Sequence, residues 1–543
     1  MADGDLLGAV HRAAATGGGG VYLGAGHGGP VWAGREQATL VLGPPRSGKT
    51  TALVIPTVLG ATGSVVSTST KPDVLAATAA TRQGVGPCLL YDPSGTVVPP
   101  PGVQPVRWSP VAGSARWDDA MLMAASLVSA TRPAPGRSVL DGASDHWTER
   151  AATLLAPLLH AAALDHAPMR RVLAWVEGRD VAPALDVLVG AGAAVAASSL
   201  QNIAMTEPRE LSAIWSTTSG VLAAYRSEAA LHSTVAPDFD PVAFCTERAT
   251  LYVCATGRRQ ALAAPLVVGL LTDIRAGAYE LAARRGTARD PVLLVLDEVA
   301  NIAPIPDLPD MVSEGAGQGL LTMACLQDLS QARARWGAKA AGLLSLFGTT
   351  VVLPGIADVP TLQAISALAG EEQVPTRSVS VPVTSTVHPA RAVLERVVLG
   401  RWAPTRPVPS ASVTHATVHR PRLPVDVIGR GEAGKALVIG SRNQMAWVGL
   451  TPWFAYEPWR TLVRGELGRD HAAGTGRSHL RSDHPAHELA TGRLADRRSG
   501  HEQLSHERPT HERPAHRAPA GRSGREPPRP GGGSRQEGRG IAR

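Results

Sequence analysis

The sequence predicts an α/β fold built on a mostly parallel sheet, carrying an inserted all-α subdomain and a disordered C-terminal tail. Three observations predict it. Short β-rich apolar runs alternate with helical patterns through most of the chain, the signature of a parallel sheet covered by helices. That alternation stops in the middle of the chain, where residues 115–231 read as helical. From about Gly465 the apolar runs disappear and Arg, His, Gly and Pro take over.

The predicted strands are 39–42, 64–68, 88–91, 251–254, 292–296, 321–325, 351–353 and 436–439, each bounded by Gly, Pro or polar turn residues. Within the helical stretch, Trp147, Ala151, Leu154, Leu155, Leu158 and Leu159 share one face, although Pro157 should kink that helix. Residues 187–200 and 261–274 are the longest apolar helical patterns and are too short to span a bilayer, so they read as buried helices. A second interruption, 376–424, is rich in Val, Ser, Thr and Pro and predicts a loop or β-excursion. These readings divide the chain into 1–114 and 232–464, the two parts of one α/β domain, with 115–231 inserted and 465–543 as tail.

Composition narrows the class. Four cysteines, Cys88, Cys245, Cys254 and Cys325, lie in apolar segments without C-x-x-C spacing, which argues against a disulfide framework or a zinc site and fits a reducing compartment. The N-terminus has no basic region followed by an apolar core, so no secretory signal is expected. The net charge is +7, and the tail supplies most of it, with 15 Arg against 10 Asp and Glu. Its His-Glu-Arg-Pro units at His506 and His511 are too short and polar to fold, and its histidines offer no fixed ligand geometry; a solvated arm meeting acidic partners or nucleic acid is the simpler reading.

The chemistry begins at Gly43-Pro44-Pro45-Arg46-Ser47-Gly48-Lys49-Thr50, which meets G-x-x-x-x-G-K-[ST] at every fixed position. A strand precedes it and a helical stretch follows, the context in which this loop cradles phosphates. Backbone N–H groups from Ser47 to Thr51 are expected to face the phosphates at the positive end of the helix dipole. Lys49 would reach the β- and γ-phosphates of ATP, and the Thr50 hydroxyl would bind Mg²⁺.

A loop of this kind needs an acidic partner, and the apolar run 292–296 delivers Asp297 and Glu298 at its end, a Walker B pattern. Asp297 is the candidate for holding Mg²⁺ and Glu298 for polarising the attacking water as general base. Gln327, after the next strand, is the candidate γ-phosphate sensor. Gln331, four residues on, either shares its helical face or is an ordinary exposed residue. Lys71 and Asp73, and Asp92 in Asp92-Pro-Ser-Gly95, sit just past strands, where ligands gather and where turns also form. Together these elements predict a RecA-like P-loop NTPase core.

The wider pattern resembles the type IV secretion coupling proteins, the TraG/TraD-like conjugative DNA-transfer ATPases. The likeness runs from roughly Gly20 to Tyr456. It rests on the P-loop, Lys71-Pro-Asp73, Asp92-Pro-Ser-Gly95, Arg107-Trp-Ser-Pro110 and Asp145-His-Trp-Thr-Glu-Arg-Ala151. It rests above all on Leu296-Asp-Glu-Val-Ala-Asn-Ile-Ala-Pro-Ile-Pro-Asp-Leu308, Gly315-Ala-Gly-Gln-Gly-Leu320 and Gln327-Asp-Leu-Ser-Gln-Ala-Arg-Ala-Arg-Trp-Gly337. The resemblance implies a homo-hexameric ring at the cytoplasmic face of a transport channel, using ATP to move single- or double-stranded DNA or nucleoprotein, with the all-α part facing the substrate. A coupling ATPase for protein effectors would share the same motor residues, and a nucleotide-binding docking subunit that does not hydrolyse is a third reading.

Two departures from the family pattern are visible. Members commonly begin with a membrane-spanning hairpin, but the 42 residues before Gly43 contain no span. This implies a soluble branch, or peripheral attachment at the plasma membrane through a separate membrane partner and the secretion channel components. The arginine that often follows the glycine matching Gly315 is here Ala316, which leaves Arg333 and Arg335 as candidate replacements.

Overall fold

Alternate side chains along a strand face opposite sides of a sheet, and here both sides are apolar. Leu40, Leu42, Leu294 and Leu296 join one buried cluster, whereas Val41, Leu293 and Val295 join another. A sheet buried on both faces needs helices on both, as parallel α/β layering provides. The computed structural model describes residues 3–131, 141–255, 260–285, 290–380, 397–398 and 412–464. The tail, 465–543, lies outside the described residues.

The strands are β1 (Gly19–Gly26), β2 (Gly29–Gly34), β3 (Thr39–Leu42), β4 (Val65–Ser69), β5 (Cys88–Tyr91), β6 (Val103–Pro105), β7 (Thr250–Cys254), β8 (Val292–Leu296), β9 (Leu320–Leu326), β10 (Thr349–Val352), β11 (Glu371–Ser380), β12 (Ser412–Pro421), β13 (Lys435–Ile439) and β14 (Met445–Gly449). Twelve form one sheet in the order β2-β1-β14-β13-β10-β3-β9-β8-β4-β7-β5-β6. From β10 to β6 every neighbouring pair is parallel, with Val41 opposite both Val351 and Cys325. The remaining four strands extend one edge antiparallel.

All eight predicted runs are strands, but 436–439 does not join the parallel set. Its strand, β13, pairs antiparallel with β10, Val438 opposite Val351. The reason is where the chain re-enters. Gly355, just past β10, donates its N–H to Gly429 O at 2.9 Å, so the approach to β13 starts from the C-terminal end of β10 and must run back. Strands β1, β2, β6 and β14 were not among the predicted runs; glycines hide the first two.

One face of the sheet is covered by α1 (Asp3–Thr16), α2 (Ile55–Gly60) and α3 (Asp73–Gln83), together with Trp459 and Leu462 near the end of the described chain. The other carries the helical stretch: α4 (Trp117–Ala130), α5 (Asp141–Leu164), α6 (Met169–Gly178), α7 (Ala182–Gly190), α8 (Ala194–Ala204), α9 (Pro208–Val221) and α10 (Glu228–His232). In α5 the side chains of Ala151, Leu154, Leu155, Leu158 and Leu159 are fully buried, and the helix continues through Pro157. Residues 187–200, expected as one helix, are two. Gly192 takes φ +72° and stops α7, because a left-handed glycine ends a helix without a Cβ clash.

The second half adds α11 (Pro241–Thr246), α12 (Gln260–Arg285), α13 (Val299–Ile302), α14 (Leu308–Gly315), α15 (Leu329–Trp336), α16 (Leu343–Leu346), α17 (Val359–Ala369) and α18 (Val425–Arg430). The excursion expected over 376–424 overlaps a two-stranded ribbon, β11 against β12, that already starts at Glu371, with Val374 opposite Val418. Among the described residues no helix is long and apolar enough to cross a membrane.

Candidate active site

The loop after β3 is fixed by its glycines. A Cβ on Gly43 would lie 2.8 Å from Ser47 Oγ and 2.9 Å from Leu353 Cβ, so no other residue fits. Gly48 adopts φ +93°, and Arg46 adopts φ +63°, left-handed conformations that let the loop curl. Pro44 and Pro45 stiffen its entry. Lys49 is 6% exposed; its Nζ donates to the Gly43 carbonyl and, at 3.0 Å, to the Pro44 carbonyl. Ser47 Oγ is buried without a partner in this cradle, a polar atom prepared for a ligand. The following helix opens with a wide π-type turn over Thr50–Val54, in which Ile55 N–H donates to Thr50 O, before α2 begins. Thr51 Oγ1 donates to Gly48 O at 3.3 Å and closes the turn.

Parallel strands bring the second half of the site to the same edge. Within the sheet β9 lies between β3 and β8, so the P-loop, the residues after β9 and the acidic pair after β8 emerge side by side. Thr50 Oγ1 donates to Asp297 Oδ2 at 2.9 Å. Asp297 is 6% exposed, and burial pushes its carboxyl above the usual range, opposed by the Thr50 hydrogen bond. A buried carboxylate beside a threonine hydroxyl offers the oxygen donors that a hard ion such as Mg²⁺ takes. Thr68 Oγ1, from β4, donates to the Asp297 carbonyl at 3.3 Å and anchors the bend.

Glu298 leaves that bend in the left-handed region, φ +54° and ψ +45°, a costly conformation for a glutamate and one found where backbone strain serves a site. Its Oε2 accepts from Asn301 Nδ2 at 3.1 Å. Asn301 was not singled out in the sequence, although its i+3 spacing from Glu298 on a short helix is the signal that could have found it.

Gln327 follows β9 between the P-loop and the acidic pair, and Gly43 N–H donates to the neighbouring Leu326 O at 3.1 Å. Gln331 is half-buried and its Oε1 accepts from Gln327 N–H at 2.8 Å, holding the turn that presents Gln327. It is therefore not the ordinary exposed residue that its spacing also allowed.

The Asp92 carboxylate is consumed by its own turn, accepting from the N–H groups of Ser94 (2.9 Å), Thr96 (2.6 Å) and Val97 (2.6 Å). Lys71 and Asp73 are exposed, Asp73 as the first residue of α3. Of the two arginines named as replacements for the residue missing at Ala316, Arg333 pairs with Asp358 at 2.8 Å. Arg335 donates to the carbonyls of Ala130 (3.0 Å) and Pro304 (3.4 Å). Ala316 precedes β9 and so lies at the N-terminal edge of the sheet, away from this chain's own P-loop.

Residues 3–389 match the family model for type IV secretory system conjugative DNA transfer. The chain belongs to this family. Its fold is the RecA-like P-loop fold of the bacterial conjugative coupling protein TrwB. The unbound form of TrwBdeltaN70 matches with TM-score 0.58 and 18% identity, over 82% of this chain and 91% of that one. TrwB in complex with ADP and Mg²⁺ matches with TM-score 0.55 and 18% identity, over 77% and 85%. No curated protein matches the chain.

The sequence motifs outside the P-loop make packing and hydrogen-bond contacts of their own. Arg150, from the Asp145–Ala151 motif, donates to Glu210 Oε1 at 3.1 Å and to Thr206 Oγ1 at 2.9 Å, tying α5 to the start of α9. Arg107, which opens Arg-Trp-Ser-Pro, binds Asp238 at 3.2 Å, and Trp108 Nε1 donates to Asp273 Oδ2 on α12 at 2.7 Å. The first motif thus braces the helical stretch internally, and the second ties the segment after β6 to Asp238 and α12.

Proposed function

We propose that this conjugative DNA-transfer protein is an ATP-hydrolysing motor that drives DNA or nucleoprotein into a secretion channel. The observation that carries the reading is the hydrogen bond between Thr50 and Asp297, which joins the phosphate loop to the acidic strand end in one cleft. On this reading the loop of Gly43, Pro44, Pro45, Arg46, Ser47, Gly48, Lys49, Thr50 and Thr51 holds the nucleotide, through Lys49 and the backbone N–H groups from Ser47 to Thr51 rather than through the Arg46 side chain, and Thr50 and Asp297 hold Mg²⁺. The ion supplies charge neutralisation at the β- and γ-phosphates when bound.

The chain's own groups do the rest. Lys49 Nζ moves from the Gly43 and Pro44 carbonyls to the phosphates, exchanging two neutral acceptors for anionic ones. Glu298 accepts a proton from the attacking water, and Gln327 orients that water, held in place through Gln331. The likeness to TrwB, which has been seen with ADP and Mg²⁺, supports the nucleotide assignment. The helical segment 115–231 is assigned to receiving substrate, the active form to a homo-hexamer, and its place to the cytoplasmic face of the membrane beside a membrane partner.

ATP turnover by the full chain, with and without single- and double-stranded DNA, tests the reading. Turnover that DNA stimulates and that Lys49→Ala abolishes is the expected result. Ala316, which carries no charge where the resemblance places an arginine, favours a second reading, a docking subunit that binds nucleotide without hydrolysing it. Absence of turnover under both conditions, at concentrations where a ring assembles, would establish that alternative.

A further inference from the structure

Phosphoryl transfer spreads negative charge over the γ-phosphoryl oxygens and the β,γ-bridging oxygen, and a positioned arginine that meets this charge is worth roughly 10³–10⁵ in rate. Arg333 is ion-paired with Asp358, and Arg335 is spent on two backbone carbonyls.

Arg46 is different in three respects. It sits inside the phosphate loop, three residues before Lys49. It is exposed, and among the described residues no carboxylate lies within ion-pair distance of it. Its backbone adopts φ +63°, a conformation that glycine takes freely and a long side chain takes at a cost. Among the described residues this strained cation at the rim of a phosphate cradle has no ion-pair partner, which leaves it available to a bound phosphate. An arginine side chain is long enough to fold back from that rim over the γ-phosphate end of a nucleotide held by Lys49.

We propose that Arg46 is the catalytic arginine of this protein and acts in cis, on the nucleotide held by its own loop; the assignment rests on the hydrolysis reading above. In the step, the water oxygen bonds to the γ-phosphorus while the bond from that phosphorus to the bridging oxygen breaks. Its electron pair stays on the ADP oxygen, and the water proton passes to Glu298. The Arg46 guanidinium donates N–H hydrogen bonds to the bridging oxygen and a γ-oxygen as their charge grows, and neither gains nor loses a proton, since arginine stays protonated throughout. A cation built into the loop would not need the neighbouring position occupied here by Ala316.

The test uses Arg46→Gly, which relieves the left-handed strain and so preserves the loop, and Arg46→Lys, which keeps charge but not the fork. Three quantities are measured on the full chain: ATP turnover, ADP affinity, and trapping of ADP with aluminium fluoride, which mimics the transferring phosphoryl group. Arg46→Gly is expected to lose about 10³-fold in kcat and to fail to trap, while ADP affinity stays within about threefold. Arg46→Lys should recover part of both, and Arg333→Gln should leave both intact.

Retention of trapping and turnover by Arg46→Gly overturns the proposal, as does their loss in Arg333→Gln instead. Mixing Arg46→Gly with Lys49→Ala subunits decides between cis and trans. Each variant lacks what the other has, so recovered turnover would mean that Arg46 serves a neighbour's nucleotide and would overturn the cis assignment. Wild-type protein without turnover under any condition removes the hydrolysis reading itself, and that result is visible before any variant is made.

Discussion

Thr50 Oγ1 and Asp297 Oδ2 lie 2.9 Å apart although 247 residues separate them in the chain. The bond joins the two halves of the cleft at a carboxylate that burial disfavours. Asp297→Asn should therefore raise the thermal midpoint of the nucleotide-free protein, while removing the Mg²⁺ dependence of ADP binding. Calorimetric titration of ADP with and without Mg²⁺ reads the second effect. An Asn variant that is less stable and still binds ADP more tightly with Mg²⁺ would contradict this account of the pair.

Asn301 donates to Glu298 at 3.1 Å, and on the proposed reading it holds the general base. Glu298→Gln should bind ATP normally and turn it over about 10²–10⁴-fold more slowly. Asn301→Ala should lower kcat by roughly tenfold with KM unchanged, because the carboxylate loses one fixed orientation. Steady-state kinetics over a range of ATP concentrations separates the two effects; a rise in KM alone would move Asn301 out of this role.

Asp273 offers a pH test at the junction of α12 with the helical stretch. Burial pushes its carboxyl up to about 7, partly offset by the hydrogen bond from Trp108. The folded protein thus holds a proton there that the unfolded chain, at about 3.9, has released. Stability contributed by this site falls as pH rises from about 4 to about 7 and is flat above that. Asp273 retains some surface exposure, so the cost at pH 8 is of the order of 1–3 kcal/mol rather than the full shift. Asp273→Asn, which can still accept from Trp108, should raise the melting temperature at pH 8 and leave it nearly unchanged at pH 4.5. An equal difference at both values would rule this out.

Arg82 is a fully buried guanidinium bound to neutral acceptors: Thr250 Oγ1 at 2.8 Å, Gly63 O at 2.9 Å and the Ala61 carbonyl. It ties the ends of α2 and β7 to the turn before β4, beneath the P-loop helix. Arg82→Leu strands those carbonyls and should cost about 3–5 kcal/mol, seen as a lower urea midpoint. Arg82→Lys should recover little, since an ammonium cannot reproduce the planar fork.

Local chemistry was readable in the sequence because its constraints are local. The P-loop needs glycines at fixed spacing, Asp297 and Glu298 must end an apolar strand, and a strand buried on both faces must be apolar throughout; each leaves a pattern within ten residues. The helical face around Leu154 and the eight main strands were legible for the same reason. Features that depend on distant partners were not. The direction of β13 follows from the contact between Gly355 and Gly429, and the split between α7 and α8 from one left-handed glycine inside an apolar run that periodicity alone joins.

The sequence by itself therefore determined the phosphate loop, the acidic strand end and the family pattern, since backbone curvature and strand burial are dictated by neighbouring residues. Only the tertiary structure decided which arginines are engaged, what Gln331 and Asn301 hold, and that Asp92 is spent on its own turn. A hydrogen bond or ion pair consumes a side chain's capacity, and its partner can stand anywhere in the chain.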